Sequence, residues 1–232
     1  MGYFLPLIKR QEIADKTWAF WFNISDTNFR FKAGQNADFG IGDVRTFSIA
    51  SSPNNHKAIM IAVRRLDPSK AGQAVSDFKK NLMSMPLGTR IRVQGPLGDF
   101  VFPKKSDPLR QGSSEASKPI VMLAGGIGIT PMYSMIQWAT EEKLPHKITL
   151  HFSNSAPERA TFLKELEALQ AQNPNFKLHL HFKRLTTETL KPDLNSRYYL
   201  AGPPGFVAGM RAILDEAGVD EDNIRTEEFS GY

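Results

Sequence analysis

Along the first hundred residues, apolar side chains recur at every second position. Trp18, Phe20, Phe22 and Ile24 alternate with Ala19, Trp21 and Asn23, and the spacing returns at Ile59, Ile61 and Val63 and at Ile91 and Val93. A period of two puts one set of side chains on one face of a pleated strand, and Gly, Asn and Pro clusters punctuate the runs. The pattern predicts short strands in a small antiparallel barrel or sandwich. One stretch departs from it: Val75, Phe78, Lys79 and Leu82 are spaced for a helix.

Beyond Pro119 the period changes. Pro119 to Ala124 is a continuous apolar run, followed by Met132, Met135, Ile136 and Ala139 at i, i+3, i+4 and i+7. Ile148 to Phe152 predicts a second strand, Phe162, Leu166 and Leu169 a helix, and Phe176 to Phe182 a third strand. Tyr198 to Leu200 predicts a fourth. Phe206, Met210, Ile213, Leu214 and Ala217 then form a helical stripe closed by Gly218, and Ile224 to Phe229 predicts the last strand. Such alternation gives a parallel sheet covered on both faces, with ligands at the carboxyl ends of its strands. Between the two textures, Pro103 to Pro119 is polar, rich in Ser, Gly and Pro, and without period. The chain therefore divides into a strand-rich domain over 1–103, a linker or mobile loop over 104–118, and an α/β domain over 119–232.

Composition narrows the chemistry. The 232 residues are 41% hydrophobic and 23% charged, and none is cysteine. That excludes disulfides, cysteine-ligated zinc or iron–sulfur clusters, and a cysteine nucleophile within this chain. The net charge of +5 suits an acidic partner or phosphorylated ligands, and equally a mildly basic solvated surface. No block of like charges or basic–aromatic run marks a nucleic-acid surface. The first ten residues lack the basic start and apolar core of a signal peptide. The uncharged stretch from Pro119 to Ala139 is broken by Gly125, Gly126, Gly128 and Pro131, so it reads as a strand–turn–helix, with no membrane span. A cytoplasmic location is expected.

Three segments carry candidate chemistry. Leu123-Ala124-Gly125-Gly126-Ile127-Gly128-Ile129-Thr130-Pro131 joins a buried strand to a helix. Glycines such as Gly126 let the backbone turn sharply against a ligand, Thr130 is placed to cap the helix, and Pro131 fits its first turn. Free amides there favour an anion such as a pyrophosphate, although a tight connection without ligand gives the same pattern. A second loop, Ala201-Gly202-Pro203-Pro204-Gly205-Phe206, follows the fourth strand, its prolines forming a rigid wall for a flat ring. In Arg45-Thr46-Phe47-Ser48, an extended chain sends Arg45 and Phe47 to one side and Thr46 and Ser48 to the other; a plain barrel strand is the alternative. His151 stands alone on one strand while His179 and His181 share a face of another. Without a third ligand at supporting spacing they read as surface or strand-packing histidines.

In order, the chain carries Phe31-Lys32-Ala33-Gly34-Gln35, Arg45-Thr46-Phe47-Ser48, Val63-Arg64-Arg65, Gly95-Pro96-Leu97-Gly98-Asp99-Phe100, the Gly-Gly-Ile-Gly-Ile-Thr-Pro turn, the Gly-Pro-Pro-Gly loop and a terminal Glu227-Glu228-Phe229. This series resembles the ferredoxin–NADP reductase superfamily over nearly the whole chain. The resemblance implies an N-terminal antiparallel six-stranded β-barrel that binds flavin and a C-terminal α/β parallel-sheet domain that binds a nicotinamide nucleotide. It implies that Arg45 pairs with flavin phosphates, with Thr46 beside it. Phe47 stacks on the isoalloxazine in place of the usual tyrosine, Ser48 hydrogen-bonds its reactive nitrogen, and Val63, Arg64 and Arg65 line the flavin chain. The helix start at Ala74, Val75 and Ser76 would grip pyrophosphate, although the Gly72-to-Ser76 turn is one residue longer than the family's. Glu227 would relay a proton or hold the carboxamide. Phe229 would cover the flavin, with Tyr232 a competitor. Gly126, Thr130, Pro131, Gly202, Pro203 and Phe206 would face the nucleotide. Ala201 stands where many members have cysteine.

FAD is the implied flavin, being the one most of the family uses. Ser153, Asn154 and Arg159 lie where an adenosine ribose is expected, with neither a clear arginine pair for NADP nor an acidic residue for NAD, so both coenzymes stay open. The implied activity is hydride transfer from NAD(P)H to FAD, then electron transfer to a separate acceptor such as an acidic ferredoxin or a small oxidant. No fused iron–sulfur or haem module is expected. Two rivals remain: a non-catalytic flavin- or nucleotide-binding electron-transfer subunit, and a flavin-free pyridine-nucleotide dehydrogenase.

Overall fold

The computed structural model describes residues 2–65, 76–102 and 118–229. The linker expected over 104–118 lies outside these residues except for Lys118, as do Ala74, Val75 and Tyr232.

The alternating runs form β1 (Gly2–Ala14), β2 (Thr17–Asn23), β3 (Asn36–Ile41), β4 (Asp43–Ser48), β5 (Ala58–Arg64) and β6 (Arg90–Leu97), with α1 (Asp77–Ser84) before β6. They make one six-stranded antiparallel sheet in the order β4-β3-β6-β1-β2-β5. β1, which the alternating pattern did not announce, is shared. Gly2 to Pro6 pair with β6, and Leu7 to Ala14 pair with β2 after a register shift between Leu7 and Lys9. An irregularity of this kind bends a strand and curls its sheet. The two ends then meet beyond β4, where the Ala50 amide donates to the Met60 carbonyl of β5 at 2.7 Å. Leu5, Leu7, Phe20, Phe22, Phe39, Ile59, Ile61 and Val93 fill the enclosed space without solvent contact, and Phe78 and Leu82 of α1 close it. The Ser76 side chain caps α1 by accepting from the Lys79 amide.

The second half forms β7 (Ile120–Gly125), α2 (Ile129–Glu141), β8 (Ile148–Ser153), α3 (Leu163–Gln172), β9 (Phe176–His181), a short α4 (Thr187–Leu190), β10 (Arg197–Gly202), α5 (Pro204–Glu216) and β11 (Ile224–Glu228). All five strands are parallel in the order β11-β10-β7-β8-β9. Met122, Ala124, Leu150, Phe152 and Phe176 pack in one cluster with residues of α2 and α3, while Leu123 and Leu200 pack with Val207, Met210 and Leu214 of α5. The strand order reverses between β7 and β10, and that crevice is where open α/β sheets bind ligands. Among the described residues, no helix is long and apolar enough to cross a membrane.

β2 and β5 explain why their second face is also apolar. Ala19, Ala50, Met60 and Ala62 join Ile127, Ile129, Met132 and Met135 in a single buried cluster, so the barrel wall is itself an interface to the α/β half. Three of those four barrel positions are alanine, whose small side chains let the two halves approach closely.

The histidines are not isolated from one another. β8 and β9 are neighbours in register, His151 lying opposite His179 and Ser153 opposite His181. The His151 ring stacks between those of His179 and His181, and its Nδ1 is 3.0 Å from His181 Nε2. Among the described residues, no group of three or more such side chains is arranged to hold a metal ion. Burial, then the neighbouring His181 and His179, lower the His151 pKa from 6.5 to about 4. The folded cluster thus refuses a proton that the unfolded chain accepts. The contribution of His151 to stability is flat above pH 6.5 and falls as pH drops from 6.5 towards 4. The expected cost for His151 is about 3 kcal/mol over the whole range and roughly 2 kcal/mol by pH 5. Thermal melts at pH 7 and pH 5 check it: His151→Gln should lose less stability between the two than the parent chain does.

Candidate active site

The β3–β4 hairpin, the exit of β5, α1, the β7–α2 turn and the end of β11 converge on one cleft of about 770 Å³. It is lined by Arg45, Thr46, Phe47 and Ser48 from β4, Val63 and Arg64 from β5, Ser76, Phe78 and Lys79 from α1, Ile127 and Thr130 from the turn, and Glu227, Glu228 and Phe229 at the chain's far end. A cleft of this size with a few convergent polar groups is typical of small-molecule sites.

Its floor is aromatic. Phe47 is half-buried, with its ring centroid 5.9 Å from Phe39 and 5.5 Å from Phe78, so its orientation is fixed by the barrel core behind it. Its rim is cationic. Arg45 is paired with Asp43 at 2.7 Å and is half-exposed, while Lys79 has its pKa lowered by burial and then by the charge of Arg45. Two cations held towards each other at partial burial favour an anion between them. Thr46 Oγ1 donates to Asp38 at 2.5 Å.

The acidic group of the cleft arrives from the other half of the molecule. Glu227 sits on β11, its Oε1 accepting from Asn36 Nδ2 at 3.0 Å and its Oε2 from Ser48 Oγ at 3.3 Å. Burial raises its pKa above the usual carboxylate range, the two donors act against that, and Asp99 adds to it. Phe229 follows, its amide donating to the Gly202 carbonyl at 2.9 Å and its ring packing on the inter-domain cluster.

The β7–α2 turn is a one-turn 3₁₀ helix, Gly126–Gly128, before α2. A Cβ on Gly128 would lie 2.2 Å from the Ala201 carbonyl oxygen, so only glycine lets this turn rest on the end of β10. Gly126 has φ +54°, and a Cβ there would lie 3.1 Å from Arg64 Nη1. The turn thus faces the barrel's arginine directly. Thr130 does not cap α2 as its sequence position suggested. Gly128 is at the cap, and the Thr130 hydroxyl donates to the Ile127 carbonyl at 3.1 Å, because the preceding 3₁₀ turn places that acceptor first. Pro131 does lie in the first turn.

The match to known families fits this geometry. The oxidoreductase FAD-binding domain model matches residues 4–102 and the oxidoreductase NAD-binding domain model matches residues 122–190. The chain belongs to the ferredoxin–NADP reductase superfamily. Among its relatives, the glycine betaine monooxygenase reductase subunit of Chromohalobacter salexigens is 26% identical over 227 residues, covering 87% of this chain and 56% of that protein. The flavohemoprotein of Bordetella pertussis is 27% identical over 215 residues, covering 83% of this chain and 49% of that one. The chain thus spans about half the length of these curated relatives. The FAD/NAD-binding domain of nitric oxide dioxygenase from Vibrio cholerae superposes with a TM-score of 0.84 over 98% of each chain at 18% identity, a likeness of fold.

Within this ferredoxin–NADP reductase architecture the sequence-derived residues separate into two groups. Arg45, Thr46, Phe47, Ser48, Val63, Arg64, Ser76, Thr130, Glu227 and Phe229 meet in the cleft. Gly126, Ser153, Asn154, Arg159, Gly202 and Pro203 lie at or just beyond the carboxyl ends of β7, β8 and β10, outside the residues lining it. Arg65 is exposed and is not among the lining residues; its amide donates to the Lys16 carbonyl at 2.7 Å. Phe206 turns inward, since a Cβ on Gly125 would come within 2.7 Å of its ring, so it packs beneath the two loops. Asn36, Phe78 and Lys79 were missed as site residues. Phe78 and Lys79 carried only a helical spacing, and Asn36 carried no signal, because its role depends on Glu227 at a separation of 191 residues.

The lining is compatible with the FAD that this family binds: Arg45 and Lys79 form a cationic rim suited to phosphate, and Phe47 an aromatic floor suited to a flat ring.

Proposed function

We propose that the protein is a flavin-dependent NADH oxidoreductase that takes hydride onto bound FAD and passes electrons to a separate acceptor. The observation that carries this reading is the convergence of Ser48 from the FAD-binding half and Glu227 from the NAD-binding half on one hydrogen bond inside the cleft. FAD, when bound, supplies the chemistry that takes hydride and releases electrons. Arg45 and Lys79 would hold its phosphates and Phe47 its ring. Phe229, which also lines the cleft, would shield that ring and move aside for the nicotinamide. Glu227 would hold the carboxamide or move a proton. The acceptor would be an acidic iron–sulfur protein or a small oxidant. A relative named as a reductase subunit supports a protein acceptor, and the net charge of +5 is compatible with an acidic one; the cytoplasm is the proposed location.

The loop after β8 supports NADH over NADPH. Arg159 lies in the loop expected to face an adenosine ribose, and its Nε lies 3.4 Å from Asp15 on the β1–β2 turn while its Nη1 donates to Ser155 at 3.1 Å. The loop is pinned by the Asp15 amide to the Glu158 carbonyl and by Arg64 Nη2 to the Arg159 carbonyl. A ribose phosphate there would meet the Asp15 carboxylate, and like charges at that range disfavour it.

An anaerobic visible spectrum of the protein, before and after each coenzyme, tests both statements. Flavin bands that bleach with NADH at least about tenfold faster than with NADPH are expected. Asp15→Asn should narrow that ratio chiefly by improving NADPH. Bands that persist with both coenzymes would establish the electron-transfer subunit instead, and a protein that takes up no flavin the flavin-free dehydrogenase.

A further inference from the structure

We infer that Asn36 is a positioning residue for Glu227, holding the carboxylate of the NAD-binding half against Ser48 of the barrel. The inference rests on the reductase reading for its meaning in turnover, while its geometry stands independently. Asn36 opens β3 and lies directly opposite Ser48 of β4 in the antiparallel register, so their side chains rise from one face as neighbours. Each donates to a different oxygen of Glu227, at 3.0 Å and 3.3 Å. A carboxylate gripped at both oxygens by donors on two adjacent strands cannot rotate without breaking a bond.

The amide is itself held. A Cβ on Gly98 would stand 2.9 Å from Asn36 Nδ2, so the bare glycine makes room for the rotamer that reaches Glu227. The neighbouring Gln35 fastens the same turn by donating from Nε2 to the Gly98 carbonyl at 3.1 Å. The other charged groups around Glu227 are Asp99 from the turn after β6, adjacent Glu228, and Arg45, Arg64 and Lys79 along the cleft. Asp99 opposes the ionised carboxylate. With the Asn36 donor removed, Ser48 would supply the one remaining hydrogen bond to the carboxylate, and Oε1 would be free to turn about it.

The test uses the full chain with FAD, glutamate labelled with ¹³C at the side-chain carboxyl, and the Glu227 signal assigned through Glu227→Gln. Asn36→Leu keeps the volume and removes the donor. It should move the Glu227 titration midpoint upward and displace the corresponding limb of the pH profile for flavin reduction in the same direction. At neutral pH, reduction by NADH should slow about tenfold, the scale of one hydrogen bond to a charged group. Asn36→Gln, which retains a donor, should recover part of both effects, and Asn36→Leu should cost little further in the Glu227→Gln background. Asn36→Ser, too short to reach, gives the same reading should Asn36→Leu fail to fold. A Glu227 midpoint unmoved in a folded, donor-less variant overturns the inference. Flavin that NADH never bleaches, with the midpoint shifted, overturns the reductase reading and leaves the positioning intact.

Discussion

Gly128→Ala should destabilise the protein by about 3 kcal/mol and lower its melting temperature by roughly 10 °C. The added methyl would stand 2.2 Å from the Ala201 carbonyl oxygen, 2.4 Å from its carbon and 2.6 Å from the Gly202 nitrogen. None of these atoms belongs to a side chain that could swing away. Both backbones are buried, one at the start of α2 and one at the end of β10. Relief requires the two turns to separate by about an ångström, which interiors packed at crystal density resist. NAD⁺ affinity should fall with stability, because the crevice between β7 and β10 is the part displaced. Gly209→Ala is the control. A Cβ there meets nothing within 4 Å, and it lies inside α5, so the exchange should stabilise by about 0.5–1 kcal/mol. Thermal melts and calorimetric NAD⁺ titrations of the two variants decide the matter. An unchanged melting temperature for Gly128→Ala would refute the close contact.

Arg45→Ala should weaken FAD retention about 100-fold, the scale of a bidentate charge-assisted contact. Arg45 is half-exposed and paired with Asp43 across 2.7 Å, and surface pairs of this kind contribute about 0–1 kcal/mol. Exchanging that carboxylate for a phosphate therefore costs little. Lys79 remains beside it, so binding should be weakened rather than abolished. Arg45→Lys should recover only part of the affinity, since an ammonium lacks the planar fork. Asp43→Asn should leave binding equal or tighter. Fluorescence titration of flavin-stripped protein measures all three, and equal affinity for Arg45→Ala would remove Arg45 from the site.

Particular residues show where the sequence was readable. The helical stripe at Met132, Met135, Ile136 and Ala139 is α2, every one of them buried, and the strand over Ile148–Phe152 is β8 with one residue added. These readings hold because a period of 3.6 or 2 is written locally and survives any arrangement of neighbours. β1 was not announced. Its apolar residues are interrupted by Pro6 and a register shift, and it serves two partners that differ along its length. Thr130 misled for a related reason: a short turn ahead of α2 changed which acceptor its hydroxyl met first.

By itself the sequence determined the fold class of the two halves and their order, the glycine turns, and the aromatic, cationic and hydroxyl groups of Arg45-Thr46-Phe47-Ser48, because each depends on contacts within a few residues. Only the tertiary structure decided that Glu227 meets Asn36 and Ser48, that Asp15 meets Arg159, and that an alanine-lined barrel wall is an interface. Those pairs are 144 to 191 residues apart in the first two cases, and such meetings are set by how two sheets pack. No local period records them.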